Sequence, residues 1–379
     1  MKNIFILFFV SFLIFFCSCK EDIEIKMENT TGILCLNGYM YSECDTNLLY
    51  VTLTGVSTPK NVNNADVKVF VNGALTEEKT ESEQGLDGRY ILKTKFKPGD
   101  LVRIEAAYNG QKAWREAEVP DYPKDFNATI TPEKNKSYYD VEMEEYKHSD
   151  MYRIDISFND VSNQKNYYRL NLDYISYSIR SNSQHEIIEK TVEIDGDEYV
   201  VYKDTVYYQR DTAYSKGYED LTYISEAPPL CDEEMTTDND FMDATYNYYK
   251  VFNNSRFVGG KCDLRIYKKT DYQFPPETAN VYDQEDVDRL PQYFYTQYVG
   301  VESIDEQAYY FMKSLNGYES GTFDSQELTG AMKMWRNVSG GSGNIVFVSR
   351  VMKKIVVYDD YKPTPIFIER DENNGYYEY

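Results

Sequence analysis

The sequence predicts an all-β, mainly antiparallel protein in which an N-terminal β-sandwich precedes a larger β-rich domain carrying one helix. Three observations predict it. Tyrosine is unusually abundant, with 38 copies among 379 residues, and it mixes with Val, Ile, Phe and Thr in alternating runs, the period of half-buried strands. From Gly32 to Pro120 such runs recur at regular spacing between turn residues, the arrangement of a small sandwich. Only one segment has convincing helical periodicity.

The first residues are set apart from the fold. Lys2 precedes an apolar stretch from Ile4 to Phe16 that only Ser11 interrupts; at about 13 residues it is shorter than the roughly 20 needed to span the hydrocarbon layer. Residues 1–18 therefore read as a signal peptide. Ser18-Cys19 places a small residue before a cysteine, as a bacterial lipoprotein signal requires, whereas Phe16-Cys17 places a bulky ring there. Cys19 is the expected lipidation site, with residues 19–31 as a tether, and each buried acyl methylene adds about 0.8 kcal/mol of anchoring. Secretion after ordinary cleavage nearby is the alternative. Lys20, Glu21 and Asp22 follow at once, and this run resembles the Lys-acid-acid surface-export signal of Bacteroidota lipoproteins.

In the sandwich, residues 32–120, strands are expected over 33–40, 47–56, 66–72, 88–96, 100–108 and 112–119. Val67, Val69 and Val71 share one face, as do Val102, Ile104 and Ala106, which suits a sheet with one buried side. Asn109-Gly110 lies between two alternating runs and supplies the positive φ angles of a type I′ hairpin. The stretch Pro120-Asp-Tyr-Pro-Lys-Asp125 breaks the pattern, because proline cannot donate to a central ladder, and marks a domain boundary.

The second domain, residues 121–370, begins with strands Met151–Phe158 and Tyr167–Ile179. Thr191–Ile194 and Glu198–Tyr208 flank Asp195-Gly196 as a further hairpin. The helix is expected over Ile304–Leu315, with Ile304, Ala308, Phe311, Met312 and Leu315 on one face, a capping box of Ser303 and Glu306, and a stop at Asn316-Gly317. Asn344–Val351 and Lys354–Tyr358 close the core, and 371–379 form a polar tail.

The formal net charge of −23 argues against nucleic acid as a partner, since phosphate tracking needs clustered Lys and Arg. Cys35, Cys44, Cys231 and Cys262 are an even set in an export context, and Cys35–Cys44 with Cys231–Cys262 is the favoured of three possible pairings because each closes a short excursion. No CxxC occurs and His148 and His185 are the only imidazoles, so no metal is expected. Ser342 falls one residue short of a Gly-x-Ser-x-Gly elbow, and the same glycines lack the Lys-Ser or Lys-Thr of a phosphate loop; they read as a turn feeding a strand. No catalytic residue and no cofactor are assigned. The cluster Asp232, Glu233, Glu234, Asp238, Asp240 and Asp243 lacks EF-hand spacing and reads as a solvated loop, with a hard-cation site as its alternative. Tyr246, Tyr248, Tyr249, Tyr293, Phe294, Tyr295 and Tyr298 are aromatic candidates for ligand or partner contact, Tyr293, Tyr295 and Tyr298 foremost, because tyrosine suits partly wet interfaces. Cross-strand packing is the competing use of the same rings.

Four stretches carry a family resemblance: Ala65-Asp-Val-Lys-Val-Phe-Val-Asn-Gly73; Val251-Phe-Asn-Asn-Ser-Arg-Phe-Val-Gly-Gly260; the helix with Tyr309, Tyr310 and Leu315; and Asn337-Val-Ser-Gly-Gly-Ser-Gly343 before Ile345-Val-Phe-Val348. Their order resembles the Bacteroidota lipoprotein family named for domain of unknown function 4249, and departs from it in the acidic stretch around 209–248 and at Asn344 and Ser349. The resemblance implies an outer-membrane lipoprotein facing the cell exterior, with an Ig-like or carboxypeptidase-regulatory-like sandwich in front, associated with TonB-dependent uptake. The expected function is a non-enzymatic ligand- or partner-binding accessory whose partner is a TonB-dependent β-barrel; a structural or adhesive surface role is the alternative.

Overall fold

The computed structural model describes residues 32–55, 58–140, 143, 145–160, 164–194, 197–218, 247–269, 275–319 and 336–368. The N-terminal strands are β1 (Leu34–Tyr41), β2 (Asn47–Leu53), β3 (Lys60–Asn61), β4 (Asp66–Val71), β5 (Ala74–Lys79), β6 (Arg89–Leu92), β7 (Leu101–Tyr108) and β8 (Gln111–Glu118). The six expected strands are present. β3 and β5 were not expected, because neither alternates; β5 is an exposed edge that forms because Asn72 and Gly73 turn the chain with φ of 51° and 81°, as a type I′ hairpin requires. Asn109 and Gly110 do the same with φ of 48° and 77°.

Beyond Pro120 come β9 (Lys124–Asp140), β10 (Glu145–Asn159), β11 (Tyr167–Ile194), β12 (Asp197–Tyr218), β13 (Val251–Asn253), β14 (Lys261–Lys269), β15 (Thr278–Val281), helix α1 (Gln284–Asp288), β16 (Gln292–Ile304), helix α2 (Glu306–Glu319), β17 (Ile345–Tyr361) and β18 (Thr364–Phe367). Pairs of expected strands have merged: Tyr167–Ile179 and Thr191–Ile194 lie in one continuous strand, as do Asn344–Val351 and Lys354–Tyr358 apart from Asn344. Ile194 pairs with Asp197, flanking the expected turn Asp195-Gly196, which lies outside the described residues. The acidic cluster 232–243 and the tail 371–379 lie outside them too.

Helix α2 starts later than its periodicity suggests. Ser303 is buried inside β16, and the cap is Asp305, whose carboxylate accepts from the Ala308 N–H at 3.0 Å. The expected capping box is thus replaced by a single-residue cap. Nor does Asn316-Gly317 end the helix: Asn316 accepts from the Tyr249 N–H at 2.9 Å, pinning a neighbouring turn. The five-residue α1, with no buried residue to give it an apolar face, is a second, unexpected helix.

One nine-stranded sheet organises the described chain, in the order β12-β11-β16-β17-β1-β2-β3, with β13 added to β11 and β6 to β2. Its alternation assigns every layer. Along β17, Ile345 and Phe347 enter the core beneath the four-stranded sheet β5-β4-β7-β8. Val351 and Ile355, two and four pleats further on, pack into the core beneath the three-stranded sheet β14-β10-β9. Val346 and Val348 point the opposite way, to Ala308, Tyr309 and Met312 of α2. Both smaller sheets therefore cover one face of the large sheet, and α2 covers part of the other. The proline break at 120–125 separates two hydrophobic cores, while the sheet runs across it through the parallel pairing of β1 with β17.

The glycine-rich turn completes the sandwich. Ser342 exchanges backbone hydrogen bonds with Leu34 and Leu36 at 2.9 and 3.0 Å, and Ser339 does so with Trp114 at 2.8 and 2.9 Å, so the turn stitches β1 to β8. A Cβ on Gly341 would lie 2.4 Å from the Leu34 carbonyl oxygen, and Gly343, at φ +101°, would place one 2.2 Å from that of Leu36. Glycine is required here for close backbone approach and positive φ. Asn337 closes the loop by exchanging two hydrogen bonds with the Ile345 backbone, at 2.8 and 2.9 Å.

The favoured cysteine pairing is corrected. Cys35 and Cys44 are both free thiols. The excursion between them is an extended strand, so Cys35 sits at one end of β1 and Cys44 in the turn beyond the other, on the order of 25 Å of chain apart at about 3.3 Å per residue, against at most ~7 Å for a bridge. Cys262 is a free thiol buried beside Phe158 and Ile266, where burial pushes its pKa up to about 12; Cys231 lies outside the described residues.

Candidate functional site

Between α2 and the free edge at β12, one face of the large sheet is left uncovered by either smaller sheet. Register places Arg169 of β11, Glu302 of β16 and Arg350 of β17 side by side on it. Glu302 has no exposed surface; its carboxylate lies 3.5 Å from Arg169 Nη1 and 3.9 Å from Arg350 Nη1 and accepts from the Tyr41 hydroxyl at 3.4 Å. Each arginine also covers a ring from β1: Arg169 that of Tyr39 at 5.4 Å and Arg350 that of Tyr41 at 4.7 Å. Arg89 over Tyr50, at 5.6 Å, continues the band across β2 and β6. The planar guanidinium serves both contacts at once, stacking with its face and bonding with its edge.

Burial raises the Glu302 pKa, and the two arginines oppose that shift. The same cause raises Asp173, two pleats along β11 on the same face. Between them, Arg169 Nε, Asn171 Oδ1 and Asp173 Oδ1 are buried without a hydrogen-bond partner. Buried polar atoms are nearly always satisfied, so three on alternate residues of one strand mark this row as unlike a purely structural sheet face. Gly300, opposite Asn171, leaves the floor low, and Tyr298, Met352 and Val356 surround it.

A carboxylate whose pKa is raised on folding favours the native state in its protonated form. Its contribution is fully present below the unfolded value, about 4.3 for Glu, and is lost as pH rises through the folded value. Glu302→Gln removes that loss, so urea titrations stepped from about pH 4 to 8 are expected to give a flatter stability curve for the variant. Identical slopes in both proteins would refute the assignment.

Strand alternation divides the expected aromatic trio. Tyr298 lies on the open face. Tyr295 points inward, stacked on Tyr152 at 5.3 Å with an 8° interplanar angle, and donates to Gln297 Oε1 at 2.5 Å. Lys268, fully buried, donates to the Tyr295 hydroxyl and sits over the rings of Tyr295, Tyr152 and Tyr174 at 4.9, 5.2 and 5.7 Å. Tyr293 follows Tyr295 on the inward side of the pleat, and Phe294 stacks on Tyr177 at 4.3 Å. Tyr249 packs against the core beneath α2, Tyr248 is exposed, and Tyr246, Cys19, Lys20, Glu21 and Asp22 lie outside the described residues. Sequence reading passed over Arg169, Glu302 and Arg350. The available signal was a lone acid in an otherwise uncharged strand, Val299-Gly-Val-Glu-Ser-Ile304.

At the N-terminal end of α2, a cleft of about 610 Å³ is lined by Arg115, Gln307, Arg336 and the turn residues Ser339, Gly340 and Gly341. Arg115 Nη2 is held by Asp305 Oδ1 at 3.1 Å. Ser342 is engaged through its backbone in the β1 contact, and its side chain hydrogen-bonds with Cys35.

Fold and site together define an all-β protein built on one shared sheet, clad on one face and carrying an arginine–tyrosine band on the other. The chain belongs to the family described as a domain of unknown function (DUF4249), whose model matches residues 20–354. Comparison with curated proteins gave no match.

Proposed function

We propose that this protein is a non-enzymatic binding protein anchored in the outer membrane through acylated Cys19, displayed outward by Lys20-Glu21-Asp22, and acting as an accessory to a TonB-dependent β-barrel. The observation that carries the binding role is the row Arg169, Asn171 and Asp173, with its three unpartnered polar atoms beside the rings of Tyr39 and Tyr298. Such a row offers hydrogen-bond donors and acceptors next to aromatic area, the mixture found at wet recognition surfaces. The leader pattern supports the anchor.

The anchor and the binding role are tested separately. Cys19→Ala is expected to shift the protein from the membrane pellet to the soluble fraction; retention in the pellet would sink the anchor. For binding, a large β-barrel should copurify with the wild-type chain from mild detergent, and Tyr298→Ala with Asp173→Asn should lower its yield about tenfold, as loss of a central contact does. Isolation of the wild type as a solitary chain, with no growth defect on any nutrient after deletion, would overturn the accessory role. A structural or adhesive role is the second reading, favoured by the length of the β11–β12 ribbon, and predicts altered attachment with unchanged uptake.

A further inference from the structure

β16 pairs with β11 only from Tyr167 to Ile179. From Arg180 to the Ile194–Asp197 pair, β11 has β12 alone, so the hairpin leaves the sheet as a two-stranded arm. Two-stranded ribbons are marginal by themselves, and β12 ends the sheet with its outer edge unpaired among the described residues. Its sequence, Asp197 to Tyr218, contains no proline, one of the usual guards of an exposed edge.

Most charges on β12 stand directly opposite no charge on β11, although Lys216 acts on Asp173 from the neighbouring pleat. In the observed register Lys203 faces Ile188, Asp204 faces Ile187, Arg210 faces Ser181, Lys216 faces Ile175, and Glu198 faces a like charge, Glu193; Asp211 alone faces its opposite, Arg180. The same charges answer one another across a two-fold axis. If β12 pairs antiparallel with β12 of a second copy about Tyr207, Glu198 stands opposite Lys216, Lys203 opposite Asp211, and Asp204 opposite Arg210, each pair occurring twice. Moving that axis by one residue either way leaves none of these pairs. The register about Tyr207 also overlaps nearly the whole strand, and in it opposed residues share a face, as antiparallel pairing requires.

We infer that the arm is a homodimerisation element, in which the outer edges of two β12 strands join antiparallel about Tyr207 into a four-stranded ribbon. The interface is isologous and closes on itself. Each arm's tip reaches the base of the other, so the two sheets become one.

The full chain in mild detergent is the test material. Sedimentation of the wild type should give a particle of two chains. Asp204→Arg or Arg210→Asp alone, each placing like charges opposite twice, should weaken dimerisation about tenfold, and the double swap should restore it. Neither residue stands opposite a charge on β11 in the register, and circular dichroism of each variant checks that the strand content is kept. Tyr207→Cys should cross-link to itself under mild oxidation, because Cα atoms at the axis lie about 4.5–5.5 Å apart, within disulfide reach; Val201→Cys, opposite Ala213 in the dimer, should not. A wild type that stays monomeric, an unrescued double swap, or equal cross-linking at 201 and 207 would overturn the inference. So would loss of barrel copurification on the single swaps from a chain that is itself monomeric, which would assign the edge to another protein.

Discussion

Phe347→Ala is expected to destabilise the protein by about 3–5 kcal/mol, the cost of emptying a fully buried aromatic site that cannot collapse. Phe347 has no exposed surface and meets Phe96 edge-to-face at 5.8 Å, so its loss also removes an aromatic pair. A domain's total stability is about 5–15 kcal/mol, which makes this a large fraction. The consequence reaches beyond the sandwich, because Phe347 lies on β17, whose later residues Val351 and Ile355 belong to the second core. Urea unfolding followed by hydrogen exchange should show protection of β7 and of β10 falling together. If exchange in β10 keeps its wild-type midpoint while β7 is lost, the two cores are independent and the shared strand does not couple them.

The second large effect is expected at Arg115. Its pair with Asp305 is mostly buried, with 11% and 13% of the side chains exposed, and burial raises the Asp305 pKa while Arg115 opposes it. Arg115→Ala leaves Asp305 without that counterion, and breaking one partner of a buried pair costs about 3–5 kcal/mol. Asp305 also caps α2, so the loss should frayed-start the helix that covers Val346 and Val348. Arg115→Met with Asp305→Asn keeps both shape and cap and should recover most of the stability, measured as the urea midpoint at constant slope. Equal losses in the single and double variants would show that the pair contributes through packing rather than charge.

These two positions differ in how far they could be read in advance. Phe347 sits in an apolar run, Ile345-Val-Phe-Val348, that any reading assigns to a core. The coupling of that core to the first strand comes from the parallel pairing of Gly38 with Ile345, between residues some three hundred positions apart in the chain. Arg115 lies in an alternating run that reads as a sandwich strand, and nothing local pairs it with Asp305. The pair exists because the glycine-rich turn brings β8 beside the start of α2.

The site divides along the same line. Tyr293, Tyr295 and Tyr298 stand within six residues, and composition makes them one aromatic cluster. The pleat sends Tyr295 inward to Lys268 and Gln297 and Tyr298 outward, because period-two alternation assigns neighbours to opposite faces. Arg169, Glu302 and Arg350 come from three strands and meet only through register.

What the sequence by itself determined is therefore local. Alternation placed the strands, Asn109-Gly110 turned a hairpin, the proline break separated two cores, and the helix lay within a few residues of its periodicity. Tertiary structure alone decided that one sheet crosses that break, that Cys35 and Cys44 stand at opposite ends of a strand, which face of the sheet stays open, and which charges meet on it. The physical reason is that dihedral preference and hydrophobic period act over a few residues. Strand order and register are instead selected by the burial of whole faces, a property of segments that are distant in the chain.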